Sequence, residues 1–272
     1  MTLITLTLAL ILITIKISYF LTHTQINSDS LYAVNVFKDL FVDHYSLKGW
    51  RLTEYRGIFP DITLFMPFLK IFHPNYGYAY GAYALVYVCL FIMGLAAICR
   101  NTLGPKSKSH WTAALFVSLV FFLFISRSYE VFQWILLPTL HGGTLLSGIA
   151  LTALVLNVMF SSRKVNWFSC FLIFTVTALT NFSDTLYLTQ FAAPLAFAAL
   201  LFRRRFILVL GSIGLGIVAS SQIASLANAM GWLSTPQRNL LQSMTIFQEG
   251  TAWIRSLAAL KEMKRIAFAH PW

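Results

Sequence analysis

The residues best suited to chemistry are concentrated in one interval. Of nine carboxylates in 272 residues, five (Asp29, Asp39, Asp43, Glu54 and Asp61) fall between His23 and Asp61, together with Arg51 and Arg56. A carboxylate in such a loop can serve as general base toward an acceptor hydroxyl, while a guanidinium can grip a phosphate leaving group with two parallel hydrogen bonds. Asp29 is the best base, because it stands where an apolar run gives way to the polar interval. Arg51 and Arg56 suit a phosphate, and they equally suit pairing with Glu54, Asp39 or Asp43. Lys48 reads as a structural charge.

Outside this interval the chemistry-bearing residues are few. Ser28-Asp29-Ser30-Leu31-Tyr32 is nearly repeated as Ser183-Asp184-Thr185-Leu186-Tyr187. In each copy the Ser or Asp also matches a helix N-cap, accepting hydrogen bonds from free backbone N–H groups. Asp61, after Phe59-Pro60, either belongs to a site or caps the segment that follows. His141-Gly142-Gly143 opens an apolar run: the glycines admit a close backbone approach and the histidine can relay a proton or bind a metal, although a plain turn explains the same residues. Among nucleotide, protease and redox signatures, HExxH, a Gly-rich nucleotide loop, GxSxG and CxxC are all absent. No spacing marks ligands for a metal ion, and a divalent cation is left open.

The elements that hold these residues are apolar. Hydrophobic residues make up 58% of the chain and charged residues 11%, less than half the roughly 25% of soluble domains. Five carboxylates in one loop are notable in such a chain, since a charge costs about 2.5 to 3.5 kcal/mol at the centre of a bilayer. The net charge of +11 comes from basic residues scattered between apolar runs, with no basic and aromatic groove of the kind that tracks nucleic acid. Cys89, Cys99 and Cys170 lie in or at the end of apolar runs without paired spacing, and read as small core residues.

Apolar length predicts an all-α polytopic bundle of about seven spans, over 3–22, 78–99, 111–126, 143–160, 166–180, 186–202 and 206–228. The run 3–22 lacks a basic n-region and a small-residue cleavage site, so it is expected to stay as a span, with Lys16 snorkelling from its outer end or facing the bundle. The segment 62–72 is too short to cross and Pro67 interrupts it, so it is expected to lie at the interface or dip back into the membrane. Tyr78, Tyr80 and Tyr83 suit a headgroup belt. The connections 100–110, 161–165 and 203–205 carry Arg100, Lys106, Lys108, Arg163, Lys164 and Arg203 to Arg205 with no acid, so the positive-inside rule makes them cytoplasmic. The amino terminus is then cytoplasmic, and Asp29 to Asp61, Glu130, His141 and Asp184 share the outer side. Small residues around Gly211, Gly214 and Gly216 favour close helix packing. Residues 1–230 form the membrane domain, with 23–77 as external loop and interfacial helices. Residues 231–272 form a basic amphipathic tail, built on Trp253, Ile254, Leu257, Leu260, Met263 and Phe268, that lies on a membrane surface.

A first uncleaved span, an external loop with Asp29 just beyond the membrane, a short Pro-containing helix and a span ending in Arg100 resemble the amino-terminal half of GT-C fold glycosyltransferases. The resemblance covers residues 3–228. It implies an enzyme of the bacterial inner membrane that transfers a sugar from a polyprenyl-phosphate donor to an acceptor on the outer face. Its site would have Asp29 as base, Arg51 and Arg56 on the phosphate, and Tyr32, Asp61, His141 and Asp184 lining the cavity; its partners would be the lipid-linked sugar and membrane lipids. The chain departs from the family in having Ser30 rather than a second acid after Asp29, and in having fewer spans, as a truncated or minimal member would. The competing reading is a non-catalytic membrane protein: a transporter, a lipid-carrier flippase or an assembly partner. Ionisable residues are almost absent from the span interiors, which counts against transport.

Overall fold

The computed structural model describes residues 28–46, 56–104, 109–125, 135–138, 141–160, 167–202 and 205–231. These belong to a unit covering Met1–Ser234. The expected first span with Lys16, Arg51, Glu130 and the amphipathic tail lie outside the described residues.

Every regular element among the described residues is helical. In chain order they are α1 (Ser28–Phe37), α2 (Thr63–Phe72), α3 (Tyr76–Leu103), α4 (His110–Ile125), α5 (Gly142–Phe160), α6 (Trp167–Ser183), α7 (Ala193–Phe202) and α8 (Phe206–Ala229). Wider π-helical turns occupy Lys38–Val42 and Leu188–Ala192, and Ile58–Ile62 is closed by π-type hydrogen bonds but kinked at Phe59, whose backbone is extended (φ −123°, ψ 134°). Three helices, α3, α5 and α8, are long and apolar enough to cross a membrane. The helix α4, the helix α6 and the apolar stretch Leu188–Leu201 are shorter.

Helix α5 organises the packing. Its first half, through Leu146 and Ile149, joins a core built with α1, α2, α3 and α4 around Phe65, Tyr83, Tyr87 and Phe91. Its second half, through Leu151, Val155, Val158 and Met159, joins a second core with Ile173 of α6, Ala199 of α7 and Val209 and Ile213 of α8. It is the most enclosed of the three long helices, whereas α8 presents Ile207, Leu215, Val218 and Leu226 outward. At the carboxyl end of α5, Arg205 Nη1 donates to Val158 O at 3.1 Å, placing a cation against the negative end of the helix dipole. The amino end is where the polar residues gather.

Three expectations are corrected here. Pro67 does not interrupt the short segment: α2 runs through it, with Phe65 and Leu69 buried and Pro67 on the exposed side. Tyr80 and Tyr83 are buried against α2 instead of facing headgroups, with ring centroids 4.7 and 5.5 Å from Phe65, and only Tyr78 of that trio is exposed. Of the cysteines, Cys170 is a core residue, whereas Cys89 is exposed. In each case the apolar residues were legible but the face they occupy depends on which helix arrives beside them.

Candidate functional site

The amino end of α5 and the carboxyl end of α6 carry the most organised polar group among the described residues. His141 Nδ1 lies 2.9 Å from Asp184 Oδ2. The Thr144 hydroxyl, one turn into α5, donates to the same oxygen, and the backbone N–H of Leu186 donates to Asp184 Oδ1 at 2.9 Å. An ionised carboxylate only accepts, so the ring nitrogen facing it, Nδ1, carries the proton and fixes the tautomer. The His141 side chain is 43% exposed and that of Asp184 only 4%, so the ring edge can meet a ligand while the carboxylate behind it cannot.

Backbone geometry sets the ring in place. His141 adopts φ 57°, the left-handed region that a non-glycine residue enters at a cost of about 1–3 kcal/mol, usually where function requires it. Its carbonyl accepts the Leu145 N–H at 3.2 Å and so begins α5. On the other side, the Asp184 N–H donates to Thr180 O at 2.7 Å, which carries helical geometry one residue beyond α6. Asp184 Oδ1 makes the expected cap bond to the Leu186 N–H, while Oδ2 faces His141 and Thr144.

Asp61 enters from the π-helical turn Ile58–Ile62. Its side chain is fully buried and its Oδ1 accepts the Tyr83 hydroxyl of α3 at 2.6 Å. Tyr87, one turn further along α3, donates to Gly142 O at 2.9 Å, tying α3 to the start of α5. A Cβ built on Gly143 would fall 2.5 Å from Asp61 Oδ1 and 2.7 Å from Pro60 Cδ, so glycine is what lets α5 approach the carboxylate. Asp61 does not cap the segment after it: it lies inside the turn, and Ile62, ahead of α2, makes no side-chain cap bond.

The stretch before Asp61 is clamped to the end of α6. Arg56 N–H donates to Ser183 O at 3.0 Å, Arg56 Nη1 to Phe182 O at 2.8 Å, and Phe59 N–H to Ser183 Oγ at 2.8 Å. The guanidinium also lies over the Phe182 ring, 4.7 Å from its centroid. Arg56 therefore closes the carboxyl end of α6 with a cation, favourable toward the helix dipole. The expectation that it holds a phosphate, or pairs with Asp39, Asp43 or Glu54, did not foresee this use. Tyr32 of α1 packs with Ile58, Phe182 and Ala227 beside the same clamp, and burial pushes its phenol up to about 12, so the hydroxyl stays protonated.

Charge at the site follows from these contacts. The hydrogen bond to Asp184 raises the His141 pKa above its ordinary value; burial opposes this, and the negative charges of Asp184 and Asp61 add to the rise. For Asp184, burial pushes the pKa up, but the bonds from His141, Thr144 and the Leu186 N–H outweigh it and hold the carboxyl below its ordinary value. The pair can therefore exist as imidazolium and carboxylate, with Nε2 able to give a proton, or as neutral imidazole able to take one.

The structure brings Asp61, His141 and Asp184 together from three distant parts of the sequence. Asp61 and Asp184 are both buried; Asp184 bonds the histidine, and the Asp61 charge acts on it. Asp29 stands in the first turn of α1; its side chain and Arg51 lie outside the described residues. Thr144, Tyr83, Tyr87, Phe182 and Ser183 were not anticipated. Thr144 had a signal, three residues after His141 and so on the same helix face. No protein-family model, no characterised protein and no solved structure matches the chain.

Proposed function

We propose that the chain is an integral membrane transferase of the GT-C type, which moves a sugar from a polyprenyl-phosphate carrier to an acceptor at the end of the bundle where α5 begins and α6 stops. The observation that carries this reading is the convergence of Asp61, His141 and Asp184 there, with the His141 side chain partly exposed and the Asp184 side chain buried behind it. In this reading Asp29 takes the acceptor proton. His141, as imidazolium, stabilises or protonates the departing phosphate oxygen, and Asp184 with Thr144 keeps the ring oriented. Packing of Tyr32 beside Ile58 and Phe182 supports bringing the Asp29 helix to this end. Seven spans, with the amino terminus cytoplasmic and this end facing outward across a bacterial inner membrane, complete the proposal.

The test is turnover of radiolabelled polyprenyl-phosphate sugars by the purified chain in nanodiscs, comparing wild type with Asp29→Asn and His141→Gln at equal folded yield. Loss of one general acid or base predicts a fall of roughly 10²- to 10⁴-fold. Asn caps a helix about as well as Asp, so unchanged transfer in Asp29→Asn would remove Asp29 from the chemistry. Absence of wild-type turnover across hexose and pentose donors would sink the transferase reading and leave the non-catalytic membrane protein.

A further inference from the structure

A second polar feature lies between α6 and α8, apart from the residues assigned above. Along α6, Thr177, Thr180, Asn181 and Asp184 recur at intervals of three, four and seven residues, which places them on one helix face. The α6 helix packs most extensively on α8. Asn181 Nδ2 donates to Ser220 Oγ at 2.6 Å, and a Cβ on Gly216 would fall 2.8 Å from both Phe174 O and Thr177 Cβ, so the two helices approach closely here. Thr177 and Thr180 are fully buried.

The hydrogen-bond account of this seam does not close within the protein. Elsewhere in the bundle, buried or lipid-facing hydroxyls bond back to the carbonyl four residues earlier: Ser118 to Ala114, Thr152 to Gly148 and Thr175 to Phe171. Thr177 and Thr180 do not. Among the described residues, the hydroxyls of Thr177, Thr180 and Tyr187 and Asn181 Oδ1 are buried and make no hydrogen bond. Each group left so would cost about 1–3 kcal/mol, and several adjacent ones are normally satisfied by ordered water making two to four bonds.

We propose that this face of α6 is a hydrated track, with water held between α6 and α8 by Thr177, Thr180, Asn181 and Tyr187. Thr180 brings the track to within one helical turn of Asp184, its carbonyl accepting the Asp184 N–H. The ligand is water, and the role is to supply water and protons to the buried carboxylate from within the bundle. The inference stands whether or not the chain transfers a sugar.

The test uses the full chain with Cys89, Cys99 and Cys170 replaced by Ala, carrying one new cysteine and treated with a small water-soluble methanethiosulfonate. Thr180→Cys and Thr177→Cys sit on the track, while Ile173→Cys sits on the same helix in the apolar core. Only a hydrated thiol ionises to the reactive thiolate, so the track cysteines should react at least roughly tenfold faster than the one at Ile173. Equal rates overturn the proposal, and either track variant decides it if the other does not fold. On the unsubstituted chain, hydroxyl radicals made from water by a brief X-ray pulse should oxidise Tyr187 more than Tyr83, although both side chains are buried. Protection of Tyr187 equal to that of Tyr83 overturns it as well.

Discussion

Replacing Asp184 by Asn tests the dyad most directly, because the amide keeps the shape and removes the charge. In the native arrangement Oδ1 accepts the Leu186 N–H, and Oδ2 accepts from His141 and Thr144. Asn keeps an oxygen for Leu186 and presents an NH2 where two donors now point. The Thr144 hydroxyl can rotate to accept from it, and a neutral imidazole can accept through Nδ1. The net loss is then about one charge-assisted hydrogen bond, roughly 1.5–3 kcal/mol. That is less than the about 3–5 kcal/mol of an abandoned buried charge, since the half-exposed His141 can release its proton. The imidazole pKa, measured by NMR titration of labelled histidine, should move down in Asp184→Asn, because the largest cause of its rise is gone while burial still opposes the charge. The tautomer should switch to Nε2–H, closing the accepting edge. A His141 titration unchanged in the variant would refute the coupling.

The same contacts fix the pH dependence of wild-type stability. His141 has a folded pKa above its unfolded value of about 6.5, so its contribution is complete below that pH and is lost as pH rises through the folded value. Asp184 has a folded pKa below its unfolded value of about 4, so its contribution is complete above that pH and is lost as pH falls through the folded value. Thermal unfolding should show its highest midpoint between about pH 4 and 6.5 from this pair, and Asp184→Asn should flatten both limbs.

Two further outcomes follow from the packing around the site. Gly143→Ala should lower stability by about 1–3 kcal/mol in denaturant titrations, as the new methyl meets Asp61 and Pro60, both held by the π-helical turn; a neutral result would mean that the turn yields freely. Arg56→Lys keeps the charge but loses the planar stacking on Phe182, and should cost about 0.5–1.5 kcal/mol and speed limited proteolysis between Asp43 and Gly57.

The three long helices were legible because apolar length is a direct property of sequence. The expected spans at 78–99, 143–160 and 206–228 fall within four residues of α3, α5 and α8 at each end. Asp61, His141 and Asp184 were expected on a shared side, through the positive-inside rule, and as the lining of one site. What the sequence withheld was which atoms meet. Arg56 looks like an anion ligand until the end of α6 is known to lie beside it, and Tyr83 looks interfacial until Phe65 and Asp61 are placed against it. These are contacts between residues 18 to 126 positions apart, and no local period encodes them.

The cost of this end of the bundle is itself an argument about its purpose. A buried carboxylate at Asp61, a second at Asp184, a histidine in the left-handed region and a glycine required at position 143 all converge on one place. Apolar residues of matching shape would often serve stability as well or better, since buried ionic groups seldom repay their desolvation. At the other end of α5, Arg205, also in the left-handed region, meets the helix on a backbone carbonyl with no carboxylate taking part in that bond. Asp61→Asn removes the charge and keeps the shape and an oxygen for the Tyr83 hydroxyl. It should lower the His141 pKa, because the Asp61 charge is one of the causes that raise it, and an unchanged His141 titration in Asp61→Asn would refute the electrostatic role of Asp61 and leave it a structural one.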